Sequence, residues 1–233
     1  MSSYLQHDIP APPPARDWSE MLPTDIGLYR NDELGDCAIA ATAHLQQVWS
    51  SQTRGRIVPS EADVVRAYAA VSGYKLGEPA TDRGCDMLSV CNHWRREGIA
   101  GNKISAFVKL DHDDWTQLRI ALNLFGGLYA GASLPLTARS DTLWDAPHGK
   151  PRGDAAIGSW GGHTMAVVGY SRLGVCFVTW GQRRWASWPW WMTYVDECYA
   201  AIDEQWVSAD DRAPNGVNLA ALERDLSAIG DLT

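Results

Sequence analysis

The most informative stretch of the chain reads NDELGDCAIAATAHLQQV, residues 31–48, where a polar loop turns into an apolar segment. Apolar residues at helical spacing predict a helix over 36–50. Cys37 falls in its first turn, where free N–H groups and the helix dipole stabilise a thiolate. We therefore predict a lowered pKa for Cys37 and a backbone N–H that can serve an oxyanion hole. The structural alternative is a buried cysteine that only packs.

A second stretch carries a histidine on an apolar strand. Residues 161–170 read GGHTMAVVGY and place His163 at the start of that strand. A short turn over 171–174 and a returning strand over 175–180 complete the signature of a hairpin. The returning strand runs into VTWG, residues 178–181. A hairpin partner is the natural position for a residue that orients the imidazole.

Together these stretches resemble the papain-like cysteine peptidase superfamily. Its members share a helix-borne Gly-x-Cys, a Gly-His strand ending in Val-Gly-Tyr, and a strand with Trp-Gly. The matching pieces here are Gly35-Asp36-Cys37, Gly162-His163 with Val168-Gly169-Tyr170, and Trp180-Gly181. The separation between Cys37 and His163 along the chain is also close to the roughly 130–150 residues typical of papain-type enzymes.

A closer resemblance covers about residues 25–205 and is to uncharacterised bacterial and phage proteins with an Asn-Asp-x-Leu-Gly-Asp-Cys motif. Their Tyr-x-Asp-Glu motif is matched by Tyr194-Val195-Asp196-Glu197. The resemblance implies an α+β, papain-like two-lobe fold. In that fold an N-terminal helical lobe and a C-terminal antiparallel β lobe enclose a cleft. It implies the fold more firmly than a function, because one fold hosts many activities.

Carried over residue by residue, the resemblance makes Cys37 the nucleophile and His163 the general base. The family's oxyanion-hole glutamine stands six residues before the nucleophile. That position here is Asn31, which is also an amide donor but is one methylene shorter. The implied chemistry is covalent catalysis through an acyl-enzyme.

The residue that orients the imidazole departs from the family pattern. The family has an asparagine two residues before Trp-Gly, and this chain has Val178, which cannot form a side-chain hydrogen bond. Thr179, Gln182 and Asp196 are the alternatives, and the sequence leaves all three open. Asp196 is the option that carries charge, and a purely structural cap or ion pair is its alternative role.

Helical patterns precede most strand patterns, which favours an α+β chain. For residues 1–30 the sequence predicts an extended, proline-rich arm. We expect Trp18, Leu22, Ile26 and Leu28 to pack it against the rest of the protein. Residues 31–205 predict the papain-like domain, with a helical lobe over about 31–100 and a β lobe over about 101–205. Residues 206–233 predict a tail that contains an amphipathic helix over 218–229.

Within this domain the remaining elements follow from local patterns. Helices are predicted from Ser60 onward, over 86–97 and over 113–124, and strands over 104–110 and 127–134. Residues 194–203 read as a closing strand or a short helix. A long polar loop over 135–161 can lie over the site through Trp144, His148 and Trp160. For most tryptophans after Gly181, core packing is favoured over lining the cleft.

Composition restricts the classes of function. With 233 residues and a net charge of −8, the chain is acidic, which opposes general binding to nucleic acid. It has no apolar run of about 18 residues for a membrane span, and its N-terminus has no signal-peptide pattern. Five cysteines match no zinc spacing, and we expect neither metal nor cofactor. The missing signal-peptide pattern predicts a cytoplasmic protein, and the resemblance to phage proteins implies virion association as the alternative.

Two main hypotheses for the function remain. The first is a cysteine hydrolase, a peptidase or amidase that acts on a peptide or protein substrate. The second is a catalytically idle papain-fold protein for binding or assembly, with phage structural proteins as its partners. Val178 and the proline-rich arm favour the second hypothesis. A peptidoglycan-directed amidase is a third hypothesis.

Overall fold

The computed structural model describes residues 11–53, 55–206 and 213–215. Within these residues, three α-helices precede the long strands and two more lie between later strands, and the strands form one large, mainly antiparallel sheet. The predicted α+β fold class is confirmed. Residues 1–10 of the predicted arm, and the predicted helix over 218–229, lie outside the described residues.

The first four helices agree with the sequence predictions, and a fifth was not predicted. Ser60, Asp86 and Asp114 cap the second, third and fourth helices by accepting backbone N–H groups. The fifth begins with Ser187 as its cap and has Pro189 in its first turn, where a missing N–H costs little. The helices are α1 Cys37–Thr53, α2 Glu61–Ser72, α3 Met87–Arg96, α4 Trp115–Phe125 and α5 Trp188–Tyr194.

The described strands form one sheet. They are β1 Arg16–Asp17, β2 Ile104–Lys109, β3 Leu128–Leu134, β4 Leu143–Trp144, β5 Gly161–Tyr170, β6 Gly174–Thr179, β7 Gln182–Ser187 and β8 Val195–Asp203. The order across the sheet is β2-β8-β3-β5-β6-β7-β4, and β1 pairs with the end of β5. Only the short β4–β7 pair is parallel. The sequence analysis missed β1, β4 and β7. Residues 194–203, which it left open between a strand and a helix, form strand β8 from Val195 onward.

Helix α1 is enclosed by the rest of the protein. All residues from 38 to 50 are buried, including polar ones, and small alanines let neighbouring elements approach closely. The polar side chains find partners: Gln47 Nε2 donates to the Ile26 carbonyl over 2.7 Å, and Ser50 Oγ donates to the Gln46 carbonyl over 2.7 Å. The Tyr129 hydroxyl on β3 donates to the Ala38 carbonyl over 2.8 Å. The start of α1 is therefore fixed relative to the sheet.

The described part of the arm, residues 11–30, is held against the body. The Trp18 indole N–H donates to the Leu122 carbonyl over 3.0 Å, and the Tyr170 hydroxyl donates to the Pro13 carbonyl over 2.8 Å. Leu22 and Ile26 are buried, as the sequence analysis expected for residues that pin the arm. Leu28 does not pin it, because this side chain is 42% exposed.

Candidate functional site

Cys37 and His163 line one cleft of about 370 Å³. Cys37 is the first residue of α1, and His163 lies near the start of β5. Asn31 lines the same cleft from the loop before α1. The other lining residues are Asp32, Leu34, Gly35, Leu134, Trp160, Gly161, Gly162 and Trp180.

The loop before Cys37 is held by Asp82. The Gly35 N–H donates to both Asp82 carboxylate oxygens over 3.1 Å, and the Tyr68 hydroxyl donates to the same carboxylate. A Cβ atom on Gly35 would lie 3.0 Å from Asp82 Oδ1 and 3.4 Å from the Gly84 nitrogen. A side chain at position 35 would therefore crowd Asp82 and the 82–84 segment.

The prediction of a lowered pKa for Cys37 is wrong. The thiol keeps some exposure to the cleft, but protein surrounds it closely enough that burial raises its pKa. Hydrogen bonds from the backbone and hydroxyl of Thr164, and from the Ala38 N–H, act in the opposite direction, and the Asp36 carboxyl adds to the rise. Burial prevails because it penalises the charged thiolate more than these donors stabilise it.

His163 is held from two sides. Its Nε2 lies 2.6 Å from Thr179 Oγ1 on β6, and its ring stacks on Trp180 with centroids 4.2 Å apart and planes inclined by 15°. Burial lowers the pKa of His163 to about 3, with a smaller contribution from His44. The imidazole is therefore neutral at neutral pH. A threonine hydroxyl can donate to or accept from Nε2; in the tautomer with the proton on Nε2 and donated to Thr179, Nδ1 is the basic nitrogen.

Of the three candidates for orienting the imidazole, only Thr179 contacts it. The Asp196 carboxylate accepts instead from the Ser133 hydroxyl over 2.7 Å. Gln182 is exposed at the start of β7 and forms no hydrogen bond with His163. Val178 is fully buried. Because adjacent strand residues face opposite sides of a sheet, its side chain points away from the face on which Thr179 meets His163.

The turn after Thr179 has an unusual backbone. Thr179 pairs with Gln182 across a two-residue hairpin loop, and both loop residues have positive φ, +46° at Trp180 and +68° at Gly181. Two positive values are typical of a type I′ turn, in which Asn-Gly is preferred. A tryptophan costs about 1–2 kcal/mol in this left-handed region. In this conformation the Trp180 ring stacks on His163.

The Asn31 amide is already engaged. Its Nδ2 donates to Asp36 Oδ1 over 3.1 Å and to the Leu34 carbonyl over 3.3 Å. These two bonds use both amide protons, so Asn31 must rotate before it can donate to an oxyanion. The Cys37 N–H remains the predicted oxyanion donor, as a first-turn N–H of α1.

Asp36 and Thr164 are site residues that the sequence analysis missed. Asp36 is fully buried beside the nucleophile, and burial raises its pKa to about 7. Thr164 directly follows His163 and reaches the sulfur of Cys37. Their places next to the two predicted catalytic residues are the only sequence signal that points to them.

Only part of the predicted covering loop lies at the site. Trp160 lines the cleft, but Trp144 is buried in the core, where its ring contacts that of Trp190 with centroids 4.9 Å apart. His148 is exposed and is not among the lining residues. Of the five tryptophans after Gly181, four are buried in the core, namely Trp188, Trp190, Trp191 and Trp206. Core packing therefore explains most of this stretch, as expected.

Within residues 11–53, 55–206 and 213–215, no group of three histidine, cysteine or acidic side chains is arranged to hold a metal ion. In the same residues, no helix combines the length and apolar character needed to cross a bilayer. All five cysteines are free thiols.

The chain is similar to solved structures of cysteine proteases. For xylellain, a cysteine protease from Xylella fastidiosa, the TM-score is 0.61 at 14% identity, over 82% of this chain and 87% of that one. For a Carica candamarcensis cysteine protease in complex with E-64, the TM-score is 0.57 at 12% identity, over 82% and 98%. For procathepsin L 3 of Tenebrio molitor, it is 0.56 at 15% identity, over 84% and 71%.

No family model and no curated protein sequence matches the chain. At such low identities, a structural likeness establishes a fold and not an activity. The specific resemblance to bacterial and phage proteins stays a prediction from the sequence. The chain has the papain-like fold, and its structural neighbours are papain-like cysteine proteases.

Proposed function

We propose that the protein is a cysteine hydrolase that cleaves amide bonds in peptides or proteins. The observation that carries this proposal is the shared cleft of Cys37 and His163, with the imidazole held by Thr179. A nucleophile, a base and a group that orients the base are the parts that covalent acyl transfer needs. The papain-like fold of the chain adds support.

The mechanism begins from a neutral pair. The thiol has a raised pKa and the imidazole a lowered one, so both are uncharged at neutral pH. As the sulfur attacks the substrate carbonyl carbon, His163 Nδ1 takes the thiol proton. The Cys37 N–H stabilises the oxyanion. His163 then gives the proton to the leaving amine as the C–N bond breaks, and water releases the acyl group with His163 again as base.

The direct test is proteolysis of a defined peptide mixture, such as a digest of denatured casein, followed by mass spectrometry of new termini. We expect new termini with the wild-type protein and their loss with His163→Ala. Cys91→Ser changes a buried thiol on α3 outside the cleft and serves as the control. A wild-type protein that produces no new termini anywhere between pH 4 and pH 9 contradicts the proposal.

Thr179→Val is expected to lower kcat by about 10- to 100-fold with a small change in KM, because the base loses its orientation and keeps its pocket. Thr179→Ser retains the hydroxyl and should recover most of the rate. Steady-state kinetics on one cleaved peptide measures both variants. Equal losses in Thr179→Val and Thr179→Ser would mean that packing, and not the hydrogen bond to His163, is what matters.

The low pKa of His163 has a consequence for pH dependence. The base must be neutral to accept the thiol proton, and with a pKa of about 3 it stays neutral well below the ordinary histidine value of about 6.5. We expect kcat/KM to show no inflection from His163 between pH 8 and pH 5. The measurement is best made in Asp36→Asn. Burial raises the Asp36 pKa to about 7, so ionisation of this carboxyl in the wild type falls within the pH range measured and would obscure the behaviour of His163. A fall centred near pH 6.5 in that variant would refute the assignment.

A catalytically idle binding protein is the second candidate, and two observations favour it. The Asn31 amide protons are committed to Asp36 and Leu34, and the imidazole is oriented by a hydroxyl where the family has an amide. On this reading the cleft holds a peptide without cleaving it. Binding of casein peptides with no new termini would favour this candidate. Phage partners and a peptidoglycan substrate remain predictions from the sequence alone.

A further inference from the structure

Three aromatic rings are stacked beside the cleft. Trp180 lies parallel to His163 at 4.2 Å and to Trp160 at 5.2 Å, with planes inclined by 15° and 26°. Among the described ring pairs, His163 and Trp160 do not contact each other, so they lie on opposite faces of Trp180. His163 and Trp160 therefore each cover part of the Trp180 indole.

Trp160 is the outer ring of this stack. It lines the cleft and is 37% exposed, so part of its surface faces the space that a substrate would occupy. Its backbone is anchored, because the Trp160 backbone N–H donates to the Leu134 carbonyl over 3.0 Å and the Gly158 backbone N–H donates to the Ser133 carbonyl over 3.1 Å; its ring is held by the stack on Trp180. A ring held in this way loses little conformational entropy when a ligand packs on it.

The backbone between Trp160 and His163 leaves an open path. Gly161 and Gly162 both line the cleft, and a Cβ atom built on either would meet nothing within 4 Å. At position 162 no neighbouring atom excludes a side chain, so the glycine leaves open space there. Trp160 and the reacting pair, Cys37 and His163, line the same cleft as these two glycines.

The charges around the cleft restrict what can bind there. Asp32 on the loop before α1 is the one exposed charged residue among the lining residues. Leu134 and Trp160 make the β-lobe side apolar. An acidic substrate side chain finds no cation there, whereas an apolar side chain can bury area on Trp160.

We propose that Trp160 forms a substrate subsite that takes an aromatic or large apolar peptide side chain close to the reacting carbonyl. The inference rests on the proposed function for the position of that carbonyl. An aromatic side chain that packs on the exposed part of Trp160 buries its own surface and gains the added attraction of an aromatic pair. Trp160 therefore sets specificity and does not take part in the chemistry.

The test uses Cys37→Ala, which cannot cleave, and measures equilibrium binding of a pentapeptide library. In the library each position in turn is Phe, Leu, Ala or Glu. We expect one position at which Phe and Leu bind about tenfold more tightly than Ala or Glu. Adding Trp160→Ala should remove this preference, and adding Trp160→Phe should keep most of it. Trp185→Ala is the matched control, since Trp185 is also 37% exposed and does not line the cleft.

The possible results separate this inference from the proposed function. A Trp160-dependent preference in binding without any hydrolysis by the wild type keeps the subsite and removes the hydrolase proposal. Hydrolysis by the wild type with an unchanged preference in Trp160→Ala overturns the subsite and keeps the hydrolase proposal. Absence of peptide binding to Cys37→Ala, or equal losses in Trp160→Ala and Trp185→Ala, also overturns the subsite.

Discussion

Cys37→Ala is expected to abolish amide hydrolysis, with a loss of at least about 10⁴-fold in kcat, because no other thiol lines the cleft. Alanine is the best helix former and fits the first turn of α1. The fold should therefore persist, with a change in the free energy of unfolding below about 1 kcal/mol. Peptide cleavage and urea unfolding of the same preparation measure the two effects together.

The control for this variant is Cys91→Ser, whose thiol is buried on α3. It should keep full kcat even where it loses some stability. Full activity in Cys37→Ala would remove the hydrolase assignment. Loss of activity accompanied by unfolding would be resolved by Cys37→Ser, which preserves the size of the side chain and replaces the sulfur with a far weaker nucleophile.

Asp36→Asn is expected to stabilise the protein at pH 8. Asp36 is fully buried; its Oδ1 accepts from Asn31, and its Oδ2 has no partner among the described residues. Burial raises its pKa to about 7; the Asn31 hydrogen bond and Arg30 lower it, and Asp82 raises it further. An asparagine of the same shape keeps the acceptor for Asn31 and removes the buried negative charge.

The sign of the pH dependence follows from linkage. Because the folded protein holds the Asp36 proton more tightly than the unfolded chain, the contribution of this group to stability is complete below about pH 4. That contribution is lost as the pH rises from about 4 to 7 and above. With a pKa of about 7 in place of 3.8, the loss has an upper limit of about 4 kcal/mol.

Urea unfolding at pH 5 and pH 8 measures this effect. The wild type should lose stability between the two values, and Asp36→Asn should lose much less. Asp32→Asn is the matched control, since Asp32 lies on the same loop and is exposed; it should follow the wild type. A less stable Asp36→Asn at pH 8 would mean that the ionised carboxylate stabilises the fold, which contradicts the account.

The elements that carry the site could be predicted because their signals are local. Apolar periodicity identified α1, and Ser60 and Asp114 mark helix starts through their own side chains. Helix α5 was missed because its tryptophans gave no periodic pattern, although Ser187 and Pro189 are start signals that could have found it.

The finer features of the site depend on tertiary contacts, which a sequence does not show. Whether Thr179, Gln182 or Asp196 reaches the imidazole depends on strand register and on the turn at Trp180. The rise in the Cys37 pKa comes from burial against other elements, so helix position alone gave the wrong direction. The engagement of Asn31 by its neighbours is likewise visible only in the folded loop.

The most direct test of the account is acylation by p-nitrophenyl acetate, followed by release of p-nitrophenol and by mass spectrometry of the labelled peptides. The account predicts a burst equal to the enzyme concentration and one acetyl group on Cys37. The rate should fall by about 100-fold or more in His163→Ala, and the label on this peptide should be absent in Cys37→Ala. Acetylation spread over other residues, or a Cys37 rate that does not depend on His163, would contradict the central claim that these two residues act as one catalytic pair.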